Sequence, residues 1–415
     1  MRVLIFIGFI FSSLSWAQDL PNPLTLKDVV KIANKYNFDQ KQQQLNIDKS
    51  KLKLNDWESQ YDTRATLDLE LANRSEYSSG TNNSHGFVYL KKTLYDQNIE
   101  IGKDTQLESI GNANLSFQQL QQNKIINIMR SFFDIILADM SYETALEKLA
   151  MSAIREGRVK DDYDIQQASE VELLEKQTNT QISQIQRIKT ESKQIQTRAN
   201  LAQLLNINYE QRPDDVVKPD FKKLLEKKLA EFEHYQKQLT NNPKLKQLEQ
   251  SLKSIKRQIS QEKDNLGIVL SSNARLGEQA YQRDKNGKWR LGINLSMPFG
   301  TDSKQDNKIS QLQIQAKQQQ LQIEQHQQSL IGMALDYYLK LKSLQQIHKA
   351  LIIELDYRDL YLEKARANYE LEIKSDIGNA MVNYTDSEKK LAENEFDYVI
   401  TLMQLHYLIG EDYEV

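Results

Sequence analysis

The sequence predicts a mainly α-helical protein with a small β part, built as an internal two-fold repeat. Two stretches of about 65 residues, 99–163 and 304–368, contain no proline and are rich in Gln, Leu and Ile. Short segments between the helical stretches alternate apolar and polar residues. Alternation with a period of two is typical of strands, and long proline-free stretches of this composition are typical of helices in coiled coils or bundles.

The first half, 18–212, starts with a helix that Thr25 is placed to cap. A β-hairpin is predicted at about 62–95, where two strand-like segments flank a loop rich in Ser, Asn and Gly. A long helix, a weak break or tip at about 156–172 and another helix complete this first repeat.

The second half, 221–415, follows a proline-containing linker at 213–220 and repeats the plan. It contains a helix, a hairpin at about 266–298, a long helix, a tip at about 369–378 and a last helix. Landmarks recur in the same order at an offset of about 205 residues. In each half the two shorter helices together match the long helix in length, so they could stack end to end beside it.

The segment 289–297 is the clearest strand, with one apolar and one polar face, and Pro298 closes it. A lone strand of this kind needs partner strands along its edges. We therefore expect the strand-like segments to pair with one another.

The first residues indicate export. Arg2, an apolar run at 3–11 and small residues at Ser15 and Ala17 predict a signal peptide over 1–17. The apolar run is too short to span a bilayer. There is no cysteine, and the formal net charge of −3 does not favour a nucleic-acid partner.

The sequence contains no motif that predicts an enzyme or a cofactor. It has neither a glycine-rich phosphate loop nor a nucleophile elbow, and its five histidines lack the spacing of a metal pair. We therefore expect no catalytic residues, no metal and no cofactor.

Three features together suggest a family: the opening 24–28 (LTLKD), the hairpin end 295–299 (LSMPF), and the helical breaks at Tyr163 and Tyr369. In order and spacing the chain resembles the TolC-type outer membrane efflux proteins over nearly its whole mature length. The resemblance implies a homotrimer in the outer membrane with a periplasmic extension. Each chain would give four strands to a twelve-stranded transmembrane β-barrel and its long antiparallel helices to a coiled-coil tunnel.

The resemblance also implies partners and a function. Such a tunnel is a passive exit channel of a tripartite efflux or type I secretion system, and it docks onto a periplasmic adaptor (membrane fusion protein) and an inner-membrane pump. Docking would open the tip by an iris-like relaxation of the coiled coils.

Site residues at the tips follow from the same resemblance. The implied gate residues are Tyr163, Ser169, Glu172, Tyr369, Lys374, Ser375 and Asp376. The implied adaptor contacts are Ile165, Gln166, Gln167, Leu371, Glu372 and Ile373. The family pattern places a glycine three residues after each aromatic residue, which both tips lack. Gly378 and Met381 stand where well-known members carry acids that ring the pore.

Alternation assigns the strand residues to two faces. The residues expected to face lipid are Leu67, Leu69, Leu270, Leu291, Ile293 and Leu295. The residues expected to face the barrel lumen are Asp68, Glu70, Asn273, Arg275, Arg290 and Asn294. Trp289, Tyr89 and Tyr281 would suit interfacial girdles. Because four strands leave two open edges, closure would require several chains.

One alternative stays open at this point. The chain could be a soluble periplasmic coiled-coil scaffold or adaptor protein whose hairpins form an ordinary small sheet. An adaptor needs one helical hairpin and a compact β-domain, whereas this sequence has four separated two-faced strands.

Overall fold

A computed structural model of the 415-residue chain describes residues 20–35, 38–76, 79–280, 288–298, 303–371 and 376–411. The predicted signal peptide at 1–17 lies outside these ranges. So do Tyr281 and four of the implied tip residues, which are Glu372, Ile373, Lys374 and Ser375.

The predicted mainly α fold with four paired strands is confirmed. The helices of the first half are α1 (Leu26–Lys35), α2 (Phe38–Glu58), α3 (Gln97–Asp164) and α4 (Glu170–Leu205). Those of the second half are α5 (Lys222–Leu225), α6 (Phe232–Gln238), α7 (Pro243–Lys263), α8 (Ser303–Glu370) and α9 (Ile377–Leu408). Helices α3 and α8 have 68 residues each, so each is about 100 Å long.

Local capping explains where the helices begin. Thr25 Oγ1 accepts a hydrogen bond from the Asp28 amide (3.2 Å) at the start of α1, as the sequence predicts. Asp96 accepts from the Asn98 amide (2.9 Å) at the start of α3. Pro243 occupies the first turn of α7, a position that needs no amide hydrogen.

Each long helix is flanked by two shorter ones. Helices α2 and α4 pack along α3, and helices α7 and α9 pack along α8. Helix α3 also packs against α9 and α7, which joins the two halves. This is the pairing of short helices beside a long one that the helix lengths suggested.

The two halves share an aromatic core. Phe133 of α3 stacks on Phe396 of α9 with 4.2 Å between ring centroids, and Phe221 meets both rings edge-on. Such pairs contribute about 0.5–1.5 kcal/mol each beyond the burial of their area. The contact therefore fixes α3 against α9 near the middle of the molecule.

The segment between the halves is held by one arginine. Arg198 of α4 makes two hydrogen bonds to the Asp139 carboxylate of α3, of 2.7 and 2.9 Å. The same guanidinium donates to the carbonyl oxygens of Pro213 and Asp214, at 3.1 Å each. The linker then pairs with the chain start, where Val217 N donates to Leu24 O at 3.0 Å.

The second half departs from the expectation of one helix before its hairpin. Residues 221–241 form two short helices, and only α7 continues to the sheet. Phe221, Leu225, Tyr235 and Leu239 of this region are buried in the common core. These apolar contacts outweigh the continuation of a single straight helix.

The strands are β1 (Arg64–Glu70), β2 (Asn73–Glu76), β3 (Ser79–Asn82), β4 (His85–Asp96), β5 (Val269–Gln279) and β6 (Trp289–Ser296). Strands β2 and β3 form a small hairpin of their own. The others form one antiparallel sheet in the order β1-β4-β5-β6. Each half therefore gives two strands, and β4 and β5 join the halves.

Candidate functional site: the two-faced sheet and the helical tips

The register of the sheet divides its side chains between two faces. Thr66, Tyr89, Arg275 and Arg290 lie in one row across the four strands. The next row on the same face contains Arg64, Lys91, Asn273 and Gly292. Successive residues of a strand point to opposite faces. These two rows therefore determine on which face each of the remaining strand residues lies, up to the bulge between Thr93 and Tyr95.

The sheet places all six predicted lumen residues on one face, here called the polar face. These residues are Asp68, Glu70, Asn273, Arg275, Arg290 and Asn294. The six residues predicted to face lipid all lie on the other face, here called the apolar face. These residues are Leu67, Leu69, Leu270, Leu291, Ile293 and Leu295.

The apolar face is bare in a single chain. Leu69, Leu291 and Ile293 are 71%, 76% and 75% exposed. Val88, Leu90 and Leu276, which the sequence reading did not single out, extend the same exposed surface. Contiguous apolar surface of this kind marks contact with a protein or with lipid.

The sheet places Trp289 and Tyr89, both expected in interfacial girdles, on opposite faces. Trp289 lies at one end of the apolar face, in register with Leu276. Tyr89 lies on the polar face, opposite Thr66 and Arg275, so its assignment to an outward-facing girdle is wrong. Both faces of β4 carry large apolar side chains. The pairing of β4 with β1 and β5 therefore determines on which face each of them lies.

The acidic side chains of Asp68 and Glu70, on the polar face, lie beside the imidazole of His85. His85 Nδ1 is 3.3 Å from a carboxylate oxygen of Glu70, and His85 Nε2 is 3.5 Å from one of Asp68. Glu70 is the direct cross-strand partner of His85. The two acids therefore belong to a local cluster at the end of the sheet next to the β2 and β3 hairpin.

The first helical tip is a tight turn without glycine. The amide of Gln167 donates to Asp162 O (2.7 Å), and that of Gln166 donates to Tyr163 O (2.9 Å). This is a Schellman motif, which places a left-handed residue just after the helix. Gln166 has φ of +61° and occupies that place. The glycine of the family pattern is thus replaced by a residue that adopts a backbone geometry glycine favours.

Helix α4 begins at this tip with a capping box. The Glu172 amide donates to Ser169 Oγ (3.2 Å), and the Ser169 amide donates to the Glu172 carboxylate (2.8 Å). The hydrogen bond from the Ser169 amide lowers the pKa of Glu172. Ser169 and Glu172 therefore stabilise the turn within one chain.

The second tip lies beside the first half. Asp376 caps α9, and its carboxylate accepts a hydrogen bond from Arg155 of α3 (2.9 Å). Arg155 also donates to the Asn379 side chain at 2.9 Å. The sequence reading missed Arg155, because a contact between residues over 200 positions apart leaves no local pattern.

The implied adaptor residues that the structure describes are exposed. Ile165 is 62% exposed and Leu371 70%, and Gln166 and Gln167 are exposed beside Ile165. Both tips therefore present an apolar side chain to solvent. Tyr163 and Tyr369 are also exposed.

Gly378 is buried at the start of α9. A Cβ atom at this position would overlap the side chain of Met151 on α3. Glycine here leaves room for the end of the Met151 side chain, which any larger residue at this position would displace. Met381, three residues further on, is exposed.

The described ranges contain no group of three or more His, Cys, Asp or Glu side chains placed to hold a metal ion. No helix within these ranges is both long and apolar enough to cross a membrane.

Comparison with known proteins agrees with this architecture. Residues 234–411, just under half of the chain, match the family model described as outer membrane efflux protein. A comparison with curated protein sequences gives no match.

Solved structures of outer membrane channels share the fold over nearly the whole chain. The Campylobacter jejuni CmeC channel has a TM-score of 0.74 at 14% identity, covering 97% of this chain and 92% of that one. The Neisseria gonorrhoeae MtrE channel, titled as an open state, has a TM-score of 0.72 at 14% identity, covering 94% and 91%. The Vibrio cholerae outer membrane protein VceC has 0.71 at 11% identity, covering 94% and 97%.

The chain therefore shares the fold of these solved outer membrane channels. The predicted family resemblance is confirmed, and the second half carries the outer membrane efflux protein domain.

Proposed function

We propose that this protein is a passive exit channel of the outer membrane, closed as a homotrimer, with its helices extending into the periplasm. The observation that carries the proposal is the four-stranded sheet with one bare apolar face and one polar face. A sheet that faces lipid on one side and a wet lumen on the other has this pattern.

The edges of the sheet support closure by several chains. Among the described residues, strand β1 has a neighbour only on its β4 side, and β6 only on its β5 side. Unpaired backbone groups in lipid cost several kcal/mol each, so neither edge can stay open there. Pairing of β6 with β1 of the next chain removes every edge, and the family fold supports three chains.

The test is a matched pair of variants in neighbouring residues of β6. Ile293→Arg puts a charge on the apolar face, at a cost of about 2–4 kcal/mol per chain near the bilayer midplane. Asn294→Arg puts the same charge on the polar face. We expect the parent protein and Asn294→Arg to be recovered from the outer membrane as a heat-modifiable oligomer, and Ile293→Arg to be lost from it.

Recovery of the parent protein as a soluble periplasmic species would overturn the channel proposal. It would favour the alternative of a coiled-coil scaffold, in which the strands never meet lipid. Equal recovery of the two arginine variants in the membrane would mean that the apolar face does not contact lipid.

The tips are proposed as the periplasmic gate and the docking site for an adaptor that links the channel to an inner-membrane pump. The exposed Ile165 and Leu371 support docking, since apolar side chains on a helical turn gain from being covered. We base the iris-like opening on the family resemblance, in which the coiled coils beside the tips relax when an adaptor docks. Export of drugs, toxins or proteins would then proceed without chemistry in the channel itself.

The gate assignment has its own test. Tyr369→Phe combined with Lys374→Ala removes two of the proposed closing contacts, and we expect a rise in single-channel conductance. Unchanged conductance in a correctly assembled channel would show that these residues do not hold the tip closed. Gln40→Ala, on α2 and remote from the tips, is the control for a general effect of substitution.

A further inference from the structure

The middle of the polar face carries a band of positive charge. The band consists of Arg64, Lys91, Arg275 and Arg290. Each of the four strands contributes one of these residues. They lie in the two adjacent rows described above, on the polar face. Adjacent rows are roughly 7 Å apart along a strand, so neighbouring cations lie within a Debye length of one another at physiological salt.

Within the described ranges, these four cations form no ion pairs. In the part of the chain that the structure describes, no carboxylate lies within ion-pair distance of any of the four. The two acids of the polar face, Asp68 and Glu70, contact His85 instead. The positive charge of the band is therefore not neutralised by the strands that carry it.

One member of the band is held in a defined orientation. The Arg275 guanidinium lies over the ring of Phe87, 4.6 Å from its centroid. Its Nε is enclosed and has no hydrogen-bond partner among the described residues. Part of its donor capacity is thus free, on a planar group suited to oxyanions such as carboxylate and phosphate.

We infer that this band makes the lumen selective for anions and forms a binding ring for multivalent oxyanions. The inference rests on the proposed channel, in which three chains would bring four cations each to one narrow section. A pore lined by one sign of charge between low-dielectric walls concentrates ions of the opposite sign. The substrates favoured by such a section are anionic solutes that carry carboxylate, sulfate or phosphate groups.

Two neighbouring lysines of β4 provide a matched test. Lys91 belongs to the band, whereas Lys92 points to the opposite face, in register with Ser272 and Ile293. The variants are Lys91→Gln with Arg290→Gln, and the control Lys92→Gln. Each is assembled as the full oligomer, checked by its heat-modifiable band, and measured in planar bilayers under a potassium chloride gradient.

We expect the parent channel to prefer chloride over potassium by at least about 2-fold. The Lys91→Gln and Arg290→Gln double variant should bring this permeability ratio close to one, and Lys92→Gln should leave it unchanged. Tripolyphosphate added on the outer side should block the parent and Lys92→Gln channels at concentrations that spare the double variant. Spermine, a polycation, should block none of the three channels at the same concentrations.

The outcomes separate the two proposals. The band proposal would be wrong if the channel conducts but prefers cations. It would also be wrong if the double variant keeps the anion preference and the tripolyphosphate block. Neither result would contradict the channel proposal. Failure of the parent protein to form a heat-modifiable oligomer in the outer membrane would overturn the channel, and the band with it.

Discussion

Gly378 shows how a single residue makes room for a side chain of another helix. The end of the Met151 side chain fills the space beside Gly378, so Gly378→Ala should displace it and destabilise the protein by about 1 kcal/mol or less. Gly332 lies in the interior of α8, with no atom within 4 Å of its Cβ position. Gly332→Ala should therefore stabilise the helix, by up to about 1 kcal/mol. Denaturant unfolding of the solubilised protein measures both changes.

The coupling between Gly378 and Met151 can be isolated by a double-mutant cycle. Met151→Ala removes the side chain that the new methyl group meets, so it should offset most of the cost of Gly378→Ala. Costs that simply add would place the cause elsewhere than in this contact.

His348 makes the stability of the protein depend on pH. It is only 6% exposed, and burial lowers its pKa below the ordinary value of 6.5. Glu395 and Glu226 oppose this shift, whereas Lys222 and Lys218 add to it. The unfolded chain then binds a proton more readily than the folded one, so stability is present above pH 6.5 and is lost as the pH falls through and below that value.

His348→Gln should flatten this pH dependence. The expected result is a smaller loss of unfolding free energy between about pH 7 and pH 5 than in the parent protein. The pKa of His326 is also lowered by burial. The double variant with His348→Gln and His326→Gln should therefore show a still weaker dependence of stability on pH. An unchanged slope in both variants would assign the pH dependence to other groups.

At the scale of elements, the turn between α3 and α4 carries a strained residue. Gln166 has φ of +61°, which costs a non-glycine residue about 1 kcal/mol. Gln166→Gly should raise the thermal midpoint of the protein, and Gln166→Val should lower it because a branched Cβ fits this geometry worst. If both variants melted at the same temperature, the turn would not have the left-handed residue described here.

The elements also show what could be predicted from the sequence. Alternation alone assigns Asp68, Glu70, Asn273, Arg275, Arg290 and Asn294 to one face, because a strand has a period of two and the polar residues keep it. Strand β4 has apolar side chains on both faces, so Tyr89 could be placed only after its partners Thr66 and Arg275 were known. Lys91 was missed for the same reason, and Arg64 was missed because the predicted alternation of the first strand began one residue later, at Ala65.

Contacts between segments that are distant along the chain could not be predicted from the sequence. Arg155 meets Asp376 only because α3 packs against α9, and nothing in either local sequence encodes that pairing. The short helices α5 and α6 likewise depend on a core built from both halves. Periodicity predicts the elements, whereas their lateral contacts depend on how their surfaces fit together.

At the scale of the whole molecule, Arg198 ties the linker to helices α3 and α4. Arg198→Ala leaves the half-buried Asp139 carboxylate without its cation and frees two linker carbonyl groups. We expect a loss of about 2–3 kcal/mol, less than the roughly 3–5 kcal/mol for fully buried ion pairs, because both side chains keep some solvent contact.

A second arginine on the same helix is the control for Arg198. Arg187 makes an ion pair of 3.3 Å with Glu191 one turn away, on the helix surface. Arg187→Ala should cost less than about 0.5 kcal/mol. Similar costs for the two variants, measured by chemical unfolding, would show that the linker contacts add little.

The polar face of the sheet carries different charges along its length. The polar face runs from acids around His85, through the band of four cations, to the neutral Ser271 and Asn294. Fixed charge is thus distributed unevenly along the axis of the proposed pore. Such a pore passes current more easily in one direction than in the other, so the channel should behave as a weak diode whose polarity reports which end of the sheet faces the outside of the cell.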